Sequence, residues 1–326
     1  MQRNSFGVTF TSSVYPLSIF FISLLPRLVN LQYGIPGDDA MHMLASREIL
    51  RGYVMYRDFF FVHNPLSPYI YAVGFSLFGT TLAVGKIISI LFSLVALESY
   101  YLIMTECLNR SAAFVSAIVL SFIPGFFVNS RYFFLDVPMT AFLMIAIYLF
   151  QRKKHFGSGM AFGLAIATKS LALPAFVAFL TVLALRRQRC EFIRLVVGCL
   201  AVVATVFLPF SILAFNELYF SVVTLNQARW GFFNIMATFS SPDLMFFLAI
   251  AIGGIIYVFC FPSISKVTPL DRAFGLCLFF YFSNYIVYSF SYQYAITLMM
   301  FLMYFATRLF ASMFAELKAL NQLLPK

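Results

Sequence analysis

The sequence predicts an all-α polytopic membrane protein with about ten transmembrane helices. The chain has 326 residues, of which 62% are hydrophobic and 10% are charged, whereas an average soluble domain carries roughly 25% charged residues. The mean hydropathy is +0.91. A soluble fold cannot bury that much apolar side chain, because a single core leaves much of its surface exposed. A soluble enzyme, a disordered chain and a nucleic-acid-binding protein are therefore excluded.

The apolar runs define the predicted spans, because a helix that crosses a bilayer needs about 20 mostly apolar residues. Several of these runs are short or contain Pro, notably the two that flank Lys169. Residues 1–13 are not expected to be a cleavable signal peptide, since no small-residue cleavage site follows the first apolar run. The predicted spans are 11–31, 82–105, 111–130, 138–151, 157–170, 171–185, 192–214, 243–262, 273–291 and 294–311.

The charged residues orient these spans. With a cytoplasmic N-terminus, 14 of the 22 Lys and Arg residues fall on the cytoplasmic side, and seven of the 12 acidic residues fall on the other side. This asymmetry follows the positive-inside rule and accounts for most of the net charge of +10. The sequence therefore predicts a multi-pass protein of the cell (plasma) membrane whose N- and C-termini are both cytoplasmic. The expected domains are a transmembrane module over 1–311 and a C-terminal tail over 312–326.

The longest segment between spans is the first outer loop, residues 32–81, and a loop of that length usually has a function or its own structure. Its Pro-Gly-Asp-Asp run at 36–39 predicts a turn and helix-capping residues. An amphipathic helix is expected over 40–50 at the membrane interface, ended by Gly52. A second interfacial helix is expected over 67–78.

The first candidate cluster is Asp38-Asp39, with His42 one turn further on. An Asp before a helix commonly caps it by accepting backbone N–H bonds. A carboxylate held at the membrane surface is also suited to act as a general base. Both interpretations remain open, and so does a metal bound by these three side chains.

Two further clusters contain charges close to apolar spans, where ionisable residues are costly and therefore candidates for function. Arg131 and Asp136 flank an aromatic turn, and the alternative is a structural ion pair between them. Lys169 is an isolated cation, and the alternative is a lysine that snorkels to the interface. His63 and Arg57 in the first outer loop are positioned to meet a phosphate.

Four motifs follow one another along the chain: Asp-Asp at 38–39 with Ser-Arg-Glu at 46–48, His-Asn-Pro-Leu at 63–66 before Leu-Phe-Gly at 77–79, Asp136 after an aromatic turn, and Thr-Lys-Ser at 168–170. Together they resemble the membrane-embedded GT-C glycosyltransferases. The most similar branch contains the dolichyl-phosphate-mannose protein mannosyltransferases and the lipid A aminoarabinose transferase. These four motifs carry the resemblance over about residues 11 to 210. The chain departs from the branch at Asp39, Asn64 and Ser170, where Glu, Pro and Gly are usual.

The resemblance implies transfer of a sugar from a polyprenyl-phosphate-linked donor, with inversion, to an acceptor on the extracytoplasmic side. A glycolipid, a polysaccharide and a protein are all possible acceptors. The resemblance also implies that Asp38 is the general base and that Asp39 and Asp136 complete the catalytic set. Lys169, Arg131 and His63 would face the phosphate, and the location of Arg57 makes it a fourth candidate. No cofactor, no catalytic metal and no nucleic-acid partner are expected.

Two alternative functions remain open at this stage. A transporter or lipid flippase would also be polytopic with charges in a central cavity, although transporters more often show inverted repeats. A non-catalytic scaffold could retain the same fold. A transporter would move its substrate without consuming a lipid-linked sugar, and a scaffold would tolerate the loss of Asp38.

Overall fold

The computed structural model describes residues 5–32, 37–225, 249, 252–256, 267–287 and 294–323. The predicted span at 243–262 and the loop that holds Trp230 lie largely or wholly outside the described residues. The described residues are almost entirely helical, apart from an isolated bridge between Met55 and Phe59. The helices are α1 (Ser5–Arg27), α2 (Gly37–Leu50), α3 (Leu66–Phe78), α4 (Leu82–Thr105), α5 (Arg110–Phe122), α6 (Pro124–Phe127), α7 (Asp136–Gln151), α8 (His155–Thr168), α9 (Leu173–Leu185), α10 (Arg189–Leu213), α11 (Phe215–Tyr219), α12 (Pro269–Val287) and α13 (Ala295–Leu323).

Three described helical segments are long and apolar enough to cross a membrane, namely α4, α10 and the Ala295–Met313 part of α13. The predicted span at 111–130 is two helices, because the chain bends by 69° between α5 and the segment that begins at Pro124. Proline ends a helix here since it lacks the N–H that the preceding turn needs. Shorter apolar helices occur at Val14–Arg27, Leu66–Phe78, Asp136–Gln151 and Ser170–Leu185. The count of ten spans stays a prediction.

Glycines set the close packing of α8 against α10. A Cβ atom added at Gly159 would lie 2.1 Å from the backbone oxygen of Leu195, and one added at Gly198 would lie 2.2 Å from the backbone oxygen of Phe156. Small residues let two helix backbones approach in this way in membrane proteins. The contact fixes α8, whose C-terminal end leads directly into Lys169.

The helix α2 begins at Gly37, so Asp38 and Asp39 lie in its first turn and the expectation that they precede the helix as caps is wrong. Leu44 and Leu50 are exposed, as an interfacial helix requires. The buried face of α2 is polar, because Asp39, His42 and Ser46 recur at helical spacing and are almost fully buried. This helix therefore presents ionisable groups to the protein interior.

Candidate active site

A buried ion pair between Asp136 and Lys169 lies at the centre of the site. Asp136 is the first residue of α7, and Lys169 follows the last residue of α8 in extended backbone. The Lys169 Nζ atom donates to both carboxylate oxygens of Asp136 at 2.9 and 2.7 Å. The same Nζ atom lies 4.4 Å from the ring centroid of Tyr294, within the range of a cation–π interaction.

This geometry corrects two interpretations of the sequence. The partner of Asp136 is Lys169, which is 33 residues away, and not the nearby Arg131. Lys169 does not snorkel to an interface, since 8% of it is exposed and its ammonium group is held by the carboxylate. A buried charge is tolerated when it is paired and hydrogen-bonded, and this pair meets both conditions.

The polar face of α2 lies beside this ion pair. The Nδ1 atom of His42 lies 2.9 Å from the backbone oxygen of Phe133. A carbonyl can only accept, so Nδ1 carries the proton and Nε2 presents a lone pair. Burial lowers the pKa of His42 to about 4, which keeps the ring neutral. Within the described chain, Nε2 has no hydrogen-bond partner, so its lone pair is open as a hydrogen-bond acceptor.

Asp39 is completely buried on the same face of α2. Among the described residues neither of its carboxylate oxygens has a hydrogen-bond partner of normal geometry. Burial raises its pKa from 3.8 to about 7, although Lys86 and the backbone at Phe133 oppose the shift. A buried polar group without a partner is rare and requires an explanation, such as a ligand or an ordered water.

Asp38 differs from Asp39 because it is exposed. Asp38 lies within electrostatic range of both His42 and Asp136, which places it near the ion pair. His63 joins the cluster through His42, since the two ring centroids are 5.8 Å apart. The structure thus brings Asp38, Asp39, His63, Asp136 and Lys169 to one place.

Two predicted phosphate ligands have other neighbours. Arg57 is exposed and forms a bidentate pair with Asp58, with both bonds at 2.9 Å. Arg131 bonds the backbone oxygen of Val29 and lies 5.7 Å from the ring centroid of Phe127. Its charged neighbours are Arg27 and Lys86, so none of its described contacts joins it to Lys169.

Sequence reasoning missed Lys86, which is 3% exposed on α4 and lies in electrostatic range of Asp39. A lone cation inside an otherwise apolar span was the available signal, and it is the same signal that identified Lys169. Lys86 therefore adds a second buried cation whose charge acts on the carboxylates of the site.

Asn64 and Ser170 were also missed as a pair. The Asn64 Nδ2 atom donates to the backbone oxygen of Ile166 at 2.5 Å, and the Ser170 hydroxyl donates to Asn64 Oδ1 at 3.1 Å. These are two of the positions at which the sequence departs from the family pattern. Their contact joins the segment that carries His63 to the turn that carries Lys169.

The metal site considered from the sequence has no support in the geometry. Over the described parts of the chain, no group of three His, Cys, Asp or Glu side chains is arranged to hold a metal ion. The bond from His42 Nδ1 to Phe133 leaves Nε2 unpartnered, so this bond by itself does not decide whether a metal binds.

Comparisons with known proteins bear on the same region. Residues 62–213 match the family model of the dolichyl-phosphate-mannose-protein mannosyltransferases. This segment includes His63, Asp136 and Lys169, whereas Asp38 and Asp39 lie outside it. An uncharacterized protein of Aquifex aeolicus (strain VF5) is 30% identical over 183 residues, which is 49% of this chain and 36% of the relative.

Two solved structures share the fold. ArnT from Cupriavidus metallidurans, bound to undecaprenyl phosphate, superimposes with a TM-score of 0.71 at 17% identity and covers 93% of this chain. The oligosaccharyltransferase of Archaeoglobus fulgidus, in complex with Zn and sulfate, gives a TM-score of 0.64 at 15% identity and covers 95% of this chain. This chain spans 60% of the first protein and 52% of the second.

The match to the mannosyltransferase family and the two structural likenesses agree with the motifs read from the sequence. The chain has the helical fold of ArnT and of the archaeal oligosaccharyltransferase, and its residues 62–213 match the family model of the dolichyl-phosphate-mannose-protein mannosyltransferases.

Proposed function

We propose that this protein transfers a sugar from a polyprenyl-phosphate-linked donor to an acceptor on the extracytoplasmic side of the cell membrane. The observation that supports this most strongly is the buried Asp136–Lys169 pair, held beside the carboxylates and histidines of the first loop. ArnT, which shares the fold, has been solved with undecaprenyl phosphate bound. A polyprenyl phosphate is therefore the lipid expected as the leaving group.

The reaction forms a bond between an acceptor oxygen and the anomeric carbon and breaks the bond from that carbon to the phosphate oxygen. The electron pair of the broken bond leaves with the lipid phosphate, and direct displacement inverts the anomeric centre. The proton of the acceptor passes to a carboxylate. Such a reaction needs a base near the acceptor and a cation near the leaving phosphate.

Asp38 is our candidate for the base, because it is the exposed member of the Asp38–Asp39 pair and an acceptor can reach it from solvent. Lys169 is the candidate cation for the leaving phosphate, and His63, which contacts His42, is a second candidate in the same cluster. A cation fixed in a low-dielectric site stabilises developing negative charge without having to reorganise. Asp136 holds Lys169 in place and balances its positive charge until a phosphate is present.

Asp39 faces away from solvent, and its pKa of about 7 lets it exchange a proton near neutral pH. We assign it a supporting role in the donor site, where its free oxygens can accept hydrogen bonds from sugar hydroxyl groups. The Nε2 atom of His42 can accept a further one. Arg131 and Arg57 are weaker candidates, since their described contacts lie elsewhere.

The experiment is a liposome reconstitution with radiolabelled sugars on undecaprenyl and dolichyl phosphate and a membrane extract as acceptor source. Wild type should consume one donor, and Asp38→Asn should lose at least about 100-fold in rate, as expected for removal of a general base. Glu48→Gln is the matched control on α2, because Glu48 pairs with Arg51 outside the cluster. Equal consumption by wild type and Asp38→Asn would exclude Asp38 as the base. A wild type that binds undecaprenyl phosphate but consumes no donor, even with extract, would contradict the transferase assignment.

A further inference from the structure

Asn64 connects two segments of the site that are about a hundred residues apart in the chain. Its side chain is 2% exposed and bonds the backbone oxygen of Ile166 in α8. The same side chain accepts a bond from the Ser170 hydroxyl at 3.1 Å. His63 precedes Asn64 and Lys169 precedes Ser170, so both contacts lie close in the chain to a candidate phosphate ligand.

The bond to Ile166 has a clear physical reason. The last carbonyls of an α-helix lack partners in the next turn, and α8 ends at Thr168, two residues after Ile166. A buried carbonyl without a donor is costly, so the amide of Asn64 acts as a side-chain cap. The chain then continues through Lys169 in extended backbone, with φ −157° and ψ 132°, which directs it away from the axis of α8.

We propose that Asn64 and Ser170 form a positioning clamp that holds Lys169 and its neighbouring turn against the His63 segment. The clamp rests on the proposed function in one respect, namely that Lys169 meets the phosphate of the donor. Asn64 and Ser170 themselves touch no reacting atom and act through Lys169. Small displacements of such a group are costly, since about 1 Å of misplacement can reduce a rate by about 100-fold.

The first test measures the position of Lys169 without any ligand. Lysine acetylation by acetic anhydride, followed by mass spectrometry, reports the accessibility of each amine in purified protein. Lys169 should be protected in wild type, with the exposed Lys153 and Lys154 as internal references. In Asn64→Ala and in Asn64→Leu, which keeps the number and branching of the side-chain heavy atoms, labelling of Lys169 should rise at least about tenfold, because the carbonyl of Ile166 loses its donor. Ser170→Ala removes one of the two bonds and should give a smaller increase.

The second test uses undecaprenyl phosphate as the probe in nanodiscs. Asn64→Leu and Lys169→Met should each weaken its binding by about tenfold. The double variant should bind no more weakly than Lys169→Met alone, because the clamp acts through that lysine. Ser158→Ala is the structural control, since it removes a buried 2.7 Å bond to the Ala146 oxygen at the other end of α8. That variant should change neither readout, even where its melting temperature falls.

The outcomes separate the two proposals. Unchanged labelling of Lys169 in both Asn64 variants would overturn the clamp, and so would a full additional loss of binding when Asn64→Leu is combined with Lys169→Met. A wild type that does not bind undecaprenyl phosphate would count against the proposed function, while the acetylation experiment would still decide the clamp. Where Asn64→Ala fails to fold, Asn64→Leu and Ser170→Ala provide the measurement.

Discussion

Breaking the Asp136–Lys169 pair from one side should destabilise the protein more than removing both partners. At a separation of about 2.8 Å and an effective dielectric constant of about 20, Coulomb's law gives an attraction of about 6 kcal/mol. Desolvation costs several kcal/mol for each ion, so the intact pair contributes little net stability. Lys169→Met or Asp136→Asn alone leaves a buried group without its partner, at an expected cost of about 3–5 kcal/mol.

The assay is unfolding in mixed micelles titrated with SDS, applied to both single variants and to Asp136→Asn/Lys169→Met. The double variant should be more stable than either single variant, with a coupling free energy of at least about 2 kcal/mol. The exposed pair of Arg51 and Glu48, at 2.7 Å, is the control and should show coupling below about 1 kcal/mol. If the stability losses of the two single variants simply add in the double variant, the reasoning is refuted, because additivity means that Asp136 and Lys169 do not interact. The double variant should also be inactive in sugar transfer although it is folded.

Three further predictions follow from other parts of the structure. Burial raises the pKa of Asp39 from its ordinary value of 3.8 to about 7, so between those values the folded protein holds a proton that the unfolded chain releases. The free energy of unfolding should therefore fall by a few kcal/mol in total as pH rises from about 4 to 7, and then level off. Asp39→Asn should flatten this pH profile. A wild-type profile that rises over the same range would contradict a raised pKa at Asp39. Gly198→Val should lower the free energy of unfolding by about 1–3 kcal/mol or more, because the new side chain would collide with the backbone oxygen of Phe156. The measurement is SDS titration. A free energy within error of wild type would show that α8 and α10 are not in close contact. Sugar transfer should persist in EDTA, since no described cluster of three ligands suits a metal, and loss of turnover that Mg²⁺ or Mn²⁺ restores would overturn this expectation.

The local features of the fold were readable from the sequence. The span predicted at 82–105 coincides with α4, and the interfacial helix expected over 67–78 begins one residue earlier, at Leu66. These elements depend on runs of apolar side chains, and such runs are a property of the chain itself. The bend at Pro124 was less predictable, because a proline in an apolar run can either kink a span or divide it.

The residues of the candidate site were also largely identified by their type. A charge in an apolar run is costly, so Asp136 and Lys169 were conspicuous without any structure. The same rule applied evenly would have identified Lys86. It would not have identified Asn64 or Ser170, because an uncharged polar residue in a loop is unremarkable until its partner is known.

The sequence by itself determined that the chain is a helical membrane protein. It also identified the ionisable side chains that cost free energy in an apolar segment and are therefore candidates for function. Only the tertiary structure decided how they are paired: Asp136 with Lys169 from another helix end, Asp39 near Lys86, and Asn64 with the end of α8. The physical reason is that apolar burial is a local property of a segment, whereas a hydrogen bond or an ion pair requires two groups within about 3 Å of each other. In this protein those groups come from segments that are about 30 to 100 residues apart, and the packing of α8 against α7 brings Asp136 and Lys169 together.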